Sequence, residues 1–234
     1  MKESPISEPK PESDDRRLQE ARREPDAWDH PILCLVVDRT FSNLPLEVAV
    51  AEAVDAGVDW IQLRERELVG QEWLEWAIKI TESARQIRPE IEIIVNRRLD
   101  VALALQASGV HLGFDSVSPP IARHVLGNRG RIGVSIHSSD EARQRGHEGA
   151  DYFHLAPVFD PLSKKPERPA LGLKPLQDAC ATGIPILAQG GITAENTGEV
   201  IGAGASGIAV TGNILASETP GKVTSRLRQA LDSA

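Results

Sequence analysis

The side chains of this chain that could do chemistry collect where its apolar runs end. One run ends in Gln62-Leu63-Arg64-Glu65-Arg66, and the next in Asn96-Arg97-Arg98. Later ones end in His111-Leu112-Gly113, Ser135-Ile136-His137 and Pro157-Val158-Phe159. Because side chains alternate along a strand, Gln62 and Arg64 share one face and Leu63 takes the other. An inward-facing Gln and Arg are costly unless they meet a partner. The two therefore either hold a ligand or, for Arg64, form a structural ion pair with a nearby carboxylate. Asn96 either binds a ligand or caps its turn. His137 stands just past an apolar run, with Ser138-Ser139 starting a helix after it. A helix N-terminus disfavours imidazolium and keeps the ring neutral, as a general base requires. The other reading of His137 is a hydrogen bonder that stabilises the turn. His111 reads as packed inside the fold.

A second group of candidates lies in Ile184–Leu215, where two apolar runs end on Gly190-Gly191 and Thr211-Gly212. Thr193 is placed as the N-cap of the helix after the first turn. Either these glycines only permit tight turns, or they present bare N–H groups and helix N-termini to a phosphate. Two such units side by side at the end of the chain favour the phosphate. The Pro-rich stretch around Ser163-Lys164-Lys165 is the longest loop, and could close over a site as a lid with one useful positive charge.

Other chemistries find no support. No His/Cys/Asp/Glu cluster has metal-ligand spacing, and no nucleophile elbow, dinucleotide fingerprint or Walker loop is present. The net charge of -8 argues against nucleic acid or an anionic membrane as partner, while leaving small anions open. No run reaches transmembrane length, so the expected location is the cytoplasm. Cys34 and Cys180 read as buried thiols of a reducing compartment. The sequence is compatible with a homo-oligomer and does not fix one.

The elements that must position these residues recur in a regular beat. Apolar runs at Ile32–Val37, Trp60–Leu63, Ile91–Val95, Gly109–Leu112, Arg131–Ser135, Tyr152–Leu155, Ile184–Ala188 and Gly207–Val210 read as eight strands. Amphipathic stretches separate them, at Leu46–Ala56, Gln71–Arg88, Leu99–Gln106, Pro119–Leu126, Ser139–Glu148, Lys174–Ala181, Ala194–Gly202 and Gly221–Leu231. Strands that are apolar throughout indicate a parallel sheet covered by helices. A (β/α)8 TIM barrel over residues 31–234 is the expected fold, with a doubly wound open sheet as alternative. Turns such as Ala56-Gly57, Ser108-Gly109, Gly149-Ala150 and Ala203-Gly204 are expected to hold left-handed glycines. Residues 1–30, with Pro5, Pro9, Pro11, Pro25 and many charges, read as a disordered tail.

Taken together, Ile61–Arg66, Val95-Asn96, Ala107–Gly113, Gly133–His137, Ala150–Tyr152, Ala156–Phe159, Lys164-Lys165 and Gly190–Ile192 resemble the thiamine phosphate synthase/TenI family. The resemblance runs from about Ile32 to Leu231 and implies one of two activities. The synthase joins a hydroxymethylpyrimidine diphosphate to a thiazole phosphate and needs Mg²⁺. The TenI branch is a thiazole tautomerase that moves a proton by a histidine. In the synthase pattern an Asp stands where this chain has Arg97, and a second Asp where it has Ser116; Asp115 is one residue early. Ser163-Lys164 keeps one of the two hydroxyls of the usual loop. The resemblance thus implies a tautomerase without a metal, acting on a small phosphorylated thiazole, with His137 catalytic. Gln62, Arg64, Asn96, Ser135, Ser163 and Lys164 would bind substrate, and Gly190, Gly191, Thr211 and Gly212 its phosphate. A synthase using Mg²⁺ and a non-catalytic phosphate-binding barrel remain as alternatives.

Overall fold

The computed structural model describes residues 28–160 and 168–234. Ser163, Lys164 and nearly all of the predicted tail lie outside the described residues. Eight parallel strands close into a barrel in sequence order. They are β1 (Ile32–Val37), β2 (Trp60–Leu63), β3 (Glu92–Asn96), β4 (Gly109–Leu112), β5 (Arg131–Ile136), β6 (Tyr152–Leu155), β7 (Ile186–Gln189) and β8 (Gly207–Val210). The closed ring rules out the open-sheet alternative. Helices α1 (Leu46–Asp55), α2 (Gly70–Ile87), α3 (Leu99–Ala104), α4 (Pro119–Leu126), α5 (Ser139–His147), α6 (Leu173–Cys180), α7 (Ala194–Gly202), α8 (Gly212–Leu215) and α9 (Pro220–Asp232) follow the strands. The four-residue α8 is additional to the sequence-based reading. Pro119 and Pro220 open their helices, where a missing N–H costs nothing. Strands β3 and β7 start one and two residues later than expected, and β3, β5 and β7 each end one residue later, which brings Asn96, Ile136 and Gln189 into the sheet.

Alternation along the strands splits the apolar core in two. Leu33, Leu35, Val37, Ile61, Ile93 and Phe153 face outward and pack against buried helical residues, among them Trp73, Ala77, Ile80 and Ala84 of α2. Cys34, Val36, Trp60, Ile94, Tyr152, Leu187 and Ala209 fill the axis. Trp28, inside the stretch read as tail, meets Trp60 edge-on with centroids 4.9 Å apart and so closes the lower end. Cys34 is buried as expected, but Cys180 is only half-buried; both are free thiols. Burial pushes the thiol of Cys34 far up and that of Cys180 up to about 11, so neither is ionised near neutrality.

The lower rim is held by a repeated device. Asp59 accepts the N–H of Leu33 at 2.7 Å, Ser108 that of Ile93 at 3.2 Å, and Asp151 that of Ile132 at 2.7 Å. Each polar residue directly precedes an even-numbered strand and secures the start of an odd-numbered neighbour. Arg228 of α9 and Arg123 of α4 then bind Asp59 and Asp151, tying the helical layer to the same points. Gly109 departs from expectation, because its backbone is not left-handed; φ is +49 at Gln106 instead. Gly109 is glycine because a Cβ there would come within 2.3 Å of the Arg131 carbonyl oxygen.

Tyr152 fills the axis only because Gly133 stands beside it, where a Cβ would fall 2.2 Å from the ring. Gly133→Ala is expected to destabilise the chain by about 1–3 kcal/mol, the usual scale of overpacking. Urea unfolding measures it, with a lowered midpoint and unchanged slope as the expected outcome.

Candidate active site

Above the apolar axis, the last inward positions of the strands carry polar side chains. They pair around the ring. Gln62 donates to the Asn96 side-chain oxygen at 3.3 Å. The Nε2 of His111 lies 2.9 Å from the Ser135 hydroxyl, and Nδ1 of His154 lies 3.3 Å from Gln189 Oε1. His111 and His154 are buried with ring centroids 4.2 Å apart. Burial, then the charges of His154 and Arg97, holds His111 well below the usual histidine range. Burial also pushes His154 down to about 4. Both rings are therefore neutral near neutral pH. His111 is packed in the barrel as predicted, but it also forms part of the cavity floor.

Five of these six residues, all but His154, floor a cavity of about 460 Å³ at the C-terminal ends of the strands. Gln62, Arg64, Asn96, Ser135, His137, Gly190, Gly191, Thr211 and Gly212 all line it, so the described candidates converge on one place. Arg64, Arg66, Arg97 and Arg168 line it too, and no carboxylate does among the described residues. An acidic protein thus presents a cationic pocket.

Arg64 resolves towards the ion pair. Its guanidinium binds Asp38, a buried residue just after β1 that sequence reasoning missed. Burial, and then the charges of Arg66 and Arg97, lower its pKa while Asp38 raises it. Arg64 is still part of the cavity wall, so pairing and ligand contact are compatible.

His137 is held from two sides. Its Nδ1 lies 2.5 Å from the carbonyl oxygen of Ala156, and its ring stacks on Phe114 with centroids 4.7 Å apart. A carbonyl only accepts, so Nδ1 carries the proton, and in the neutral ring Nε2 keeps its lone pair. The backbone N–H of His137 donates to Glu141 at 2.7 Å, and Ser138 caps α5. The turn is thus stabilised by backbone and neighbours, leaving the second ring nitrogen for chemistry.

At the far side, Gly190 and Gly191 have φ of +93 and +63. A Cβ at Gly191 would lie 2.5 Å from the Asp160 carbonyl oxygen, so the turn admits only glycine. The side chain of Asn196 accepts from Thr193 N–H and donates to the Gly191 carbonyl, both at 2.9 Å. Asn213 donates to the Ile192 carbonyl at 3.1 Å. The two turns are therefore braced against each other beside the N-terminus of α8, whose first N–H groups have no intrahelical partner.

The chain matches the family model described as thiamine monophosphate synthase over residues 33–214. It belongs to that family. Thiamine-phosphate synthase of Syntrophomonas wolfei is 38% identical over 200 residues, covering 84% of this chain and 94% of that protein. Its counterpart from Chlorobium phaeovibrioides is 41% identical over 181 residues, covering 77% and 84%. Among solved structures, thiamine phosphate pyrophosphorylase from Pyrococcus furiosus superposes with a TM-score of 0.78 at 30% identity, covering 86% of this chain and 96% of that one.

The two positions that the resemblance matched to the synthase's Mg²⁺ carboxylates are Arg97 and Ser116 in this chain. Arg97 directly follows β3, and its guanidinium binds the nearby Asp115 at 2.6 Å. Among the described residues no group of three His, Cys, Asp or Glu could hold a metal ion. Also among them, no helix is long and apolar enough to cross a membrane.

Two of the residues missed, His154 and Gln189, had a signal: both stand at inward positions near strand ends. The neutral state of His154 has a measurable consequence. Its pKa is lower folded than the ordinary 6.5, so the unfolded chain binds the extra proton first and stability falls as pH drops from 6.5 towards 4. Between pH 7 and 5 the loss from His154 is expected to be about 2 kcal/mol. Comparing urea unfolding of His154→Gln with the parent chain checks it, because the variant should lose that part of the pH dependence.

Proposed function

We propose that this family member is a thiazole tautomerase, an isomerase that aromatises a phosphorylated thiazole carboxylate by moving one proton. The observation that carries the reading is the fixed tautomer of His137, whose basic Nε2 belongs to a cavity rich in arginine. In the proposed step, Nε2 takes the proton from the ring carbon bearing the carboxylate. The electron pair of the broken C–H bond spreads through the conjugated system to the exocyclic carbon. That carbon then receives the proton back from the imidazolium, and the ring becomes aromatic. Atoms and charge balance without a cofactor.

The other residues fall into supporting roles. The phosphate would rest on the Gly190-Gly191 and Thr211-Gly212 turns, where backbone N–H groups favour an anion. Arg64, with Asn96, would hold the carboxylate and stabilise the charge that builds on it as the proton leaves. Phe114 and the Ala156 carbonyl fix the imidazole plane, so the base is positioned before substrate arrives.

General acid–base catalysis by one histidine is worth about 10²–10⁴-fold. His137→Ala is expected to lower kcat on that scale while leaving ligand affinity nearly unchanged, and unaltered turnover would remove His137 from the mechanism. A second reading is favoured by the names of the relatives at 38% and 41% identity, which are thiamine-phosphate synthases. Incubating the chain with hydroxymethylpyrimidine diphosphate and thiazole phosphate, with and without Mg²⁺, separates the two. The tautomerase reading expects no thiamine phosphate in either tube, and its formation would replace that reading with the synthase.

A further inference from the structure

Among the described residues, Arg97 is the one non-glycine residue of the cavity wall with a left-handed backbone. Its φ of +66 is a left-handed conformation rarely adopted by a residue with a side chain. Such strain persists where the surroundings over-determine it, and here three contacts do so. The Arg97 N–H donates to the His111 carbonyl at 2.9 Å. Its guanidinium crosses Gly113, where a Cβ would come within 2.9 Å of Nη2. Nη1 binds Asp115 at 2.6 Å. The result is a guanidinium aimed along the cavity wall.

Two neighbouring facts make this cation available. The Asp115 side chain is 66% exposed and that of Arg97 39%, and exposed pairs of this kind are weak enough for another anion to compete. Arg66 also lines the cavity and makes no ion pair among the described residues. The end of β3 lies four strands from β7 in the ring of eight, so Arg97 faces the glycine turns from the opposite side.

We propose that Arg97, with Arg66, forms a metal-independent subsite for an oxyanion group of the ligand, across the cavity from the Gly190-Gly191 turn. A fixed guanidinium there supplies the positive charge at the end of β3 with no cation to recruit. Asp115 occupies the guanidinium until the ligand displaces it. The inference rests on reading the cavity as a site for a phosphorylated ligand, yet it concerns binding and not turnover.

Calorimetry on the full chain with inorganic pyrophosphate as probe tests it, once in a chelator and once in Mg²⁺. The expected result is equal binding in both. Arg97→Ala should weaken binding at least about tenfold, the scale of a hydrogen bond to a charged group. Asp115→Asn removes the competing carboxylate and should leave binding unchanged or tighter. Absent or Mg²⁺-dependent binding by the parent chain overturns the proposal, as does a smaller loss in Arg97→Ala. A loss in Asp115→Asn equal to that in Arg97→Ala also overturns it, by making the pair structural. Pyrophosphate binding as expected, with no tautomerase turnover, would count against the isomerase reading alone.

Discussion

A closed barrel of parallel strands sends every second side chain to its axis, and that constraint organises this molecule. Low on the axis the inward positions are apolar or aromatic, from Cys34 and Trp60 to Tyr152 and Leu187. At the top they turn polar on β2 to β7 while β1 and β8 contribute Val36 and Ala209. Six polar side chains in that ring satisfy one another in pairs between adjacent strands. Their pairing is incomplete. Gln62 Oε1, His111 Nδ1 and His154 Nε2 are buried without a hydrogen-bond partner among the described residues.

The charges above that floor follow from the same geometry. Arg64 leaves the end of β2 towards a partly buried position, and Asp38 at the end of neighbouring β1 offsets its desolvation. Removing Arg64 would strand the buried Asp38 carboxylate, which costs more than the pair is worth. Glu65 points away from the cavity and instead binds Arg39. Among the described residues, the carboxylates of this acidic chain are kept out of the pocket wall, and four arginines are kept in it.

Much of this was readable in the sequence, for a physical reason. Apolar runs and glycine-marked turns report local conformation, so all eight strands were placed within two residues. Gln62, Asn96, Ser135 and His137 converge because strand-end position and periodicity locate them without tertiary information. What escaped depends on partners distant in sequence. The identity of Asp38 as the partner of Arg64, the stacking of Phe114 on His137 and the Arg168 guanidinium 5.4 Å from the Phe114 centroid are set only once the chain has closed. Arg97 marked a departure from the synthase pattern, but neither its left-handed backbone nor its bond to Asp115 had a local signal. The left-handed glycine expected at position 109 failed because interstrand crowding, not turn geometry, sets that residue.

Closure of the ring is secured at the end remote from the cavity, by Asp59, Ser108 and Asp151 on alternate strands and by the arginines that reach them from α4 and α9. None of these groups borders the cavity. A scaffold fastened at one rim tolerates rewriting at the other, so a left-handed arginine just past the end of β3 leaves the architecture standing. Functional drift within such a lineage is then limited by what the mouth can bind, and not by what the fold can survive.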